Sequence, residues 1–164
     1  MTPSPIEIRT VRPIRVAYLR AQLENFRAQS GVWGDLMTFI LGHNIQPRGP
    51  TLTKYFSMDP IDLAVCAPLD PTDVLPPHDR IIDTELEEAV MAVYTHRGAM
   101  EDIGSAYEVI MPWVESSTEY VQAGPSREVY VKVPTGDDIE SGDWNNVVVE
   151  VHVPIRPAAA ATTS

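Results

Sequence analysis

Residues 89–115 read AVMAVYTHRGAMEDIGSAYEVIMPWVE, and the hydrophobic period changes inside this stretch. The part that ends at His96 is rich in strand-favouring residues and predicts a β-strand. From Met100 to Glu115, apolar residues recur at spacings of three and four, which predicts a helix with one apolar face. Pro112 removes a backbone donor within this helix, so we expect its last turn to be bent or shortened.

The first half of the chain begins in the same way. Residues 14–20 predict a strand, and residues 30–41 predict a helix that ends at the stop signals Gly42 and Asn44. A Gly-Pro turn and two further predicted strands follow each helix. These strands cover residues 51–57 and 62–67 in the first half, and residues 127–133 and 146–153 in the second.

The two halves align as an internal duplication. Tyr18 falls on Tyr94, Tyr55 falls on Tyr130, and the two Gly-Pro turns coincide, all at offsets of 75 or 76 residues. One strand-helix-strand-strand unit cannot bury its apolar face alone. We therefore predict an α+β fold in which two such units, related by a pseudo-twofold axis, form one antiparallel sheet with two helices on one side. The opposite sheet face, or the seam between the halves, is then the expected place for a ligand.

A length of 164 residues fits a single domain. We predict this domain over residues 1–156, with halves at about 6–67 and 86–155. The connector between them, residues 68–85, is proline-rich at its start, and the tail, residues 157–164, is expected to be disordered.

Composition excludes several classes of function. The chain has 44% hydrophobic and 21% charged residues, no long apolar run, and no signal-peptide core at its start, so we expect a cytoplasmic protein without a membrane partner. A net charge of −11 without a basic run argues against direct binding of nucleic acid. The single cysteine, Cys66, and scattered histidines predict no metal site, and we expect no cofactor.

The second half also carries motifs in a fixed order. They are Val93-Tyr-Thr-His-Arg-Gly98, then Ala106-Tyr107 and Trp113, then Gly124-Pro-Ser-Arg-Glu-Val-Tyr130, and finally Glu150-Val-His-Val-Pro-Ile155. This order resembles the GyrI-like, or effector-binding, family of bacterial ligand-binding domains, over about residues 6–155. The resemblance implies a twofold-pseudosymmetric fold with a central aromatic cleft.

Known members of that family include ligand-sensing domains of MerR-type and AraC-type regulators, proteins that counter gyrase toxicity, and hydrolases of cyclopropane-bearing genotoxins. This chain differs from the regulators because no helix-turn-helix precedes Ile6. We therefore expect that it is not a complete transcription factor.

Glu128 is the main polar candidate, because strand alternation places it on the same face as Tyr130. In an apolar cleft this carboxylate would select an organic cation or hold a proton for catalysis. On an outer face it would be solvated or paired with a neighbouring basic residue. The resemblance favours the cleft. Glu150, which shares a strand face with His152, is either a second acid in the cleft or the partner of an arginine.

Aromatic residues are the other candidates for ligand contact. Duplicated tyrosines suit a cleft that holds flat cations, although they suit a core equally well. Core packing is favoured for Tyr107 and for the helical tryptophans, with ligand contact as the alternative. His96 is a general base, a haem ligand or a residue that stabilises the turn, and the last role is favoured. The candidate ligand contacts are Glu128, Tyr94, Tyr130, Tyr18, Tyr55, Trp113, Trp33 and Tyr107.

The leading hypothesis is a free-standing protein that captures a hydrophobic organic compound, cationic or alkylating, in a tyrosine-lined cleft. One alternative is a hydrolase that opens strained cyclopropane-bearing genotoxins, with Glu128 as the acid or base and Tyr94 as its assistant. The other is a protein-binding module that acts on a topoisomerase or a regulator. Nucleophilic triads, phosphate-binding glycine loops and dinucleotide fingerprints are absent from the sequence.

Overall fold

The computed structural model describes residues 6–134 and 141–158. It contains two helices and nine strands in those ranges, together with short 3-10 turns before each helix. In chain order the elements are β1 (Glu7–Val11), β2 (Ile14–Leu23), α1 (Gln29–Gly42), β3 (Leu52–Met58), β4 (Ile61–Pro68), β5 (Ile81–Leu86), β6 (Ala89–Gly98), α2 (Gly104–Ser116), β7 (Tyr120–Gln122), β8 (Ser126–Lys132) and β9 (Val147–Pro157).

The chain divides into two compact units. Unit 1 consists of the residues up to Val11 and those from Ala89 onwards, and unit 2 runs from Arg12 to Glu88. The N-terminal strand β1 therefore belongs with the second half of the sequence, because it pairs with β6 along its whole length.

Unit 2 is an antiparallel sheet in the order β3-β4-β2-β5 with α1 on one face. The apolar stripe of α1 is Val32, Leu36 and Ile40, and it packs on the sheet because these residues recur once per helical turn. The sheet residues of this core include Ala17, Leu19, Tyr55, Ile61, Leu63, Val65, Ala67 and Ile81.

Unit 1 is an antiparallel sheet in the order β1-β6-β9-β8, and β7 pairs with the C-terminal end of β9. Helix α2 covers one face with Ala106, Ile110 and Val114. The sheet residues of this second core are Ala92, Val151, Val153 and Ile155.

The predicted α+β class, with antiparallel strands and two helices, is confirmed. Helix α1 and the start of β6 lie within a residue or two of their predicted bounds. Helix α2 continues through Pro112 to Ser116, so the expected shortening of its last turn is wrong. Pro112 is on the exposed side of the helix. Its missing N–H therefore leaves no buried carbonyl without a hydrogen-bond donor.

Three short strands were not predicted: β1, β5 and β7. Strand β5 lies mostly inside the expected connector and extends the sheet of unit 2 beyond β2. Residues 135–140 and the part of the predicted tail from residue 159 onwards lie outside the described residues. Pro157 closes β9, and the amide of Ala158 donates to the carbonyl of Glu119 at 2.8 Å. Neither helix in the described part of the chain is long and apolar enough to cross a bilayer.

Candidate ligand-binding site

Glu128 lies on β8, directly opposite Val151 of β9. Opposed residues of an antiparallel pair share a sheet face, and Val151 belongs to the core under α2. Glu128 therefore points to the face that α2 covers, and only 4% of its surface is exposed. A carboxylate in such a place needs hydrogen-bond donors, since an uncompensated charge out of water is costly.

Two tyrosines supply those donors. The hydroxyl of Tyr107, on α2, donates to Oε2 of Glu128 at 2.6 Å, and the hydroxyl of Tyr130, on β8, donates to Oε1 at 3.2 Å. Each carboxylate oxygen thus accepts one phenolic hydrogen bond. The bond from Tyr107 has the short length typical of hydrogen bonds to an ionised acceptor. The cluster of Glu128, Tyr107 and Tyr130 ties helix α2 to strand β8.

Tyr107 has the core-packing role that the sequence favours, and it also makes a contact that the sequence does not predict. Its ring packs against the core under α2, as the helical stripe predicts, and its hydroxyl reaches the buried carboxylate. No local pattern predicts this contact, because the two residues are 21 positions apart and meet only when α2 docks on the sheet.

Tyr94 lies on the same sheet face. Tyr94, on β6, pairs with Val151 of the central strand β9, and Glu128, on β8, pairs with the same residue from the other side. Val151 therefore lies between Tyr94 and Glu128 across the sheet. Two inter-strand spacings place the backbones of Tyr94 and Glu128 roughly 10 Å apart. The ring of Tyr94 is partly buried against the α2 core. Unit 1 therefore gathers Glu128, Tyr107, Tyr130 and Tyr94 on one face.

The candidate aromatics of unit 2 lie elsewhere in the fold. Tyr55 and Trp33 pack with the α1 core, and the ring of Tyr55 meets Phe26 edge-on at 6.5 Å between centroids. Tyr18 is opposite Cys66, and its neighbours Ala17 and Leu19 face α1. Alternation therefore turns Tyr18 to the face away from α1. Burial raises the pKa of the Tyr18 phenol.

The alignment of Tyr18 with Tyr94 is consequently wrong, because Tyr94 packs on the helix side of its sheet and Tyr18 does not. Ala17 and Ala92 occupy the equivalent helix-facing positions instead. A shift of one residue in the alignment is enough to exchange the faces of a strand.

Glu150 and His152 form a second polar cluster on the opposite face of unit 1. Oε1 of Glu150 accepts from Nη1 of Arg9 at 3.0 Å and lies 2.9 Å from Nε2 of His152. Burial opposes the ionised form of Glu150, but the hydrogen bonds from His152 and Arg9 outweigh it and lower the pKa of this carboxyl. Burial lowers the pKa of the His152 ring, although Glu150 acts in the other direction. The prediction that Glu150 partners an arginine is confirmed.

The other candidates have local structural contacts. Nε2 of His96 lies 2.8 Å from the carbonyl of Ala99, so the turn-stabilising role predicted for this buried histidine is confirmed. Trp113, near the end of α2, stacks on Tyr120 of β7. Tyr120 was not a candidate from the sequence, and its only signal was a strand-favouring Tyr-Val pair after the helix.

Among residues 6–134 and 141–158, no group of three or more His, Cys, Asp or Glu side chains is placed to hold a metal ion.

The chain belongs to the GyrI-like small-molecule-binding domain family, whose model matches residues 4–156. No curated protein sequence matches it.

Several solved structures share the fold. The C-terminal domain of EcmrR is 17% identical, with a TM-score of 0.76 over 94% of this chain and 98% of that one. EcmrR in its complex with DNA is 16% identical with a TM-score of 0.80, and this chain spans only 58% of its length. SAV2435 bound to tetraphenylphosphonium is 12% identical, with a TM-score of 0.63 over 93% and 94% of the two chains. A hydrolase from Listeria innocua is 10% identical, with a TM-score of 0.60 over 94% of each chain.

Proposed function

We propose that this protein binds a hydrophobic organic cation at the cluster of Glu128, Tyr107 and Tyr130. The observation that carries the proposal is the buried carboxylate with one phenolic hydroxyl on each oxygen. Membership of a small-molecule-binding family supports it. The binding role, rather than turnover, is the function that this geometry serves most simply.

The chemistry of the cluster favours a cation for two reasons. Hydroxyl donors stabilise the ionised form of a buried carboxylate, and an ionised carboxylate attracts a positive ligand that lies close to it. Tyrosine rings add π-faces that attract cations and apolar surface that attracts hydrophobic groups. Tyr94 extends this aromatic surface along the same sheet face. The ligand expected from these features is a lipophilic cation with flat apolar groups.

The complex of SAV2435 with tetraphenylphosphonium supports the ligand class by analogy, since a protein of this fold holds a lipophilic cation. The analogy extends to the class of ligand and not to individual contacts, because the two chains are only 12% identical.

A hydrolase is the second candidate, and the short Tyr107–Glu128 hydrogen bond is the observation that favours it. Glu128 would take a proton from water as the water oxygen bonds to a carbon of a strained ring. A tyrosine hydroxyl, from Tyr94 or from Tyr107, would protonate the carbon released when the ring bond breaks. The fold neighbour from Listeria innocua that is described as a hydrolase supports this reading by analogy.

Glu128→Gln tests the proposal, because it keeps the size of the side chain and removes its charge. Calorimetry with tetraphenylphosphonium should show an affinity loss of about 5- to 150-fold, the cost of one partly desolvated charge contact, whereas neutral triphenylphosphine oxide should bind as before. Glu115→Gln is the matched control, because it removes the same charge from an exposed position on α2. Equal affinities of the two variants for the cation would refute the proposal.

The same proteins separate binding from turnover. Incubation with a cyclopropane electrophile, followed by mass spectrometry, should return the compound unchanged if the protein only binds. Catalytic conversion to a hydrated product by the wild type, lost by roughly 10²–10⁴-fold in Glu128→Gln, would establish the hydrolase instead.

A further inference from the structure

A concave surface lies in unit 1, where helix α2 ends and β7 begins. It is a depression of about 350 Å³ that shares no residue with the Glu128 cluster. Its lining residues are Ile8, Trp113, Ser116, Ser117, Thr118, Glu119 and Tyr120. We call this surface the α2–β7 depression.

One wall of the α2–β7 depression is aromatic. The rings of Trp113 and Tyr120 stack with their centroids 6.3 Å apart and their planes inclined by 23°. Ile8 of β1 adds an apolar side chain that is 47% exposed. Large apolar side chains that are exposed to solvent beside an aromatic pair provide contact area for the apolar part of a ligand.

The polar wall is held in place by backbone interactions. Oγ of Ser117 accepts hydrogen bonds from the amides of Glu119 at 3.2 Å and Tyr120 at 3.1 Å. Tyr120 pairs with Pro157 of β9, which fixes its position in the sheet. The turn between α2 and β7 is therefore formed before any ligand arrives, which reduces the ordering cost of binding.

The electrostatics of the α2–β7 depression favour a positive ligand. The C-terminal end of α2 carries the negative end of the helix dipole. Glu119 is the one charged side chain among the described residues that line the depression, and it is exposed. The net charge of −11 adds a diffuse negative potential.

We propose that the α2–β7 depression binds a compact quaternary ammonium cation. Its volume of about 350 Å³ accommodates a trimethylammonium group on a short stem. The cationic methyl groups lie against the outer face of one ring of the stacked Trp113–Tyr120 pair, and Glu119 attracts the charge from the rim. This site does not depend on the function proposed for Glu128.

The test uses choline and its uncharged isostere 3,3-dimethylbutan-1-ol with the full ¹⁵N-labelled chain. Choline should shift the amide resonances of residues 117–120 and the indole resonance of Trp113, and the alcohol should bind about 2- to 5-fold more weakly. Glu119→Gln should weaken choline binding by a similar factor, while Glu115→Gln, the matched exposed control on α2, should leave it unchanged. Tyr120→Leu removes one ring, and its amide spectrum reports whether the fold survives.

Three outcomes would overturn the proposal. They are equal binding of choline and the alcohol, equal effects of Glu119→Gln and Glu115→Gln, and loss of choline binding in Glu128→Gln. The last result would assign choline to the Glu128 cluster and leave the proposed function standing. Unchanged choline affinity in Glu128→Gln, together with the weakened affinity predicted for Glu119→Gln, supports two separate sites.

Discussion

At the scale of single residues, the central feature is a core tyrosine whose hydroxyl satisfies a buried carboxylate. Tyr107 belongs to an apolar helical stripe, yet its polar tip ends 2.6 Å from Glu128. One side chain therefore packs in the apolar core and also donates a hydrogen bond to a buried carboxylate. The geometry of this contact also makes the two hydroxyl donors of Glu128 unequal, because the bond from Tyr130 is longer, at 3.2 Å.

Tyr107→Phe should therefore destabilise the protein more than Tyr130→Phe. The first change removes the shorter bond to a buried acceptor, and we expect a loss of about 1–3 kcal/mol in the free energy of unfolding. The second should cost less, because the hydrogen bond of Tyr130 is longer, at 3.2 Å, and therefore weaker. Urea denaturation of the two variants measures the difference, and a larger loss for Tyr130→Phe would show that the hydrogen bonds are ranked wrongly.

The Glu150–His152 cluster predicts how stability depends on pH. Burial lowers the pKa of His152 in the folded state, so below about pH 6.5 the unfolded chain binds a proton that the folded chain does not. Stability should fall as the pH drops below that value. Hydrogen bonds from His152 and Arg9 lower the pKa of Glu150, so its contribution is lost at still lower pH, below about 4.5.

His152→Gln should flatten the fall in unfolding free energy between about pH 7 and pH 5, because glutamine does not titrate. His43→Gln, at an exposed histidine on the C-terminal side of α1, is the control and should keep the wild-type slope. Chemical denaturation at a series of pH values gives both slopes. A slope in His152→Gln as steep as that of the wild type would assign the acid sensitivity to other groups.

At the scale of elements, the long amphipathic segments were predictable and the short edge strands were not. Helix α2 and strand β6 have clear periods of their own, so the sequence locates them. Strands β1 and β7 are five and three residues long and exist because β6 and β9 offer them a pairing edge. No local pattern encodes such a partner.

The candidate site, like the elements, was predictable only in part. Alternation correctly places Glu128 and Tyr130 on one face of β8, since both lie in one strand. The contact with Tyr107 depends on how α2 docks, and the position of Tyr18 depends on a one-residue choice in aligning the halves. Both need the three-dimensional structure.

Helix α2 also predicts the effect of replacing Pro112. An alanine there restores an amide donor inside a helix that continues to Ser116, and alanine is the better helix former. Pro112→Ala should raise the free energy of unfolding by about 1–3 kcal/mol, reduced by the greater freedom of its unfolded chain. Glu108→Ala, at another exposed position of α2, should change stability by less than about 0.5 kcal/mol. Thermal and urea unfolding measure both, and destabilisation by Pro112→Ala would mean that the proline fits α2 better than alanine does.

At the scale of the whole molecule, the fold is shared with proteins of 10–17% identity, so the framework tolerates nearly complete change of sequence. What can differ among such proteins is the set of side chains on the framework. In this chain the set includes a buried carboxylate with aromatic neighbours, in a molecule of net charge −11. The proposed function uses both features, because negative charge and aromatic surface attract cations.

The most direct test of cation binding at Glu128 is a crystal of this protein soaked with tetraphenylarsonium and measured at the arsenic absorption edge. Anomalous scattering locates the arsenic without reference to the protein coordinates. The predicted result is one strong peak beside the Glu128 cluster, with a phenyl group of the cation against the ring of Tyr107, Tyr130 or Tyr94. A strong peak elsewhere, with the surroundings of Glu128 empty, would contradict the proposed function.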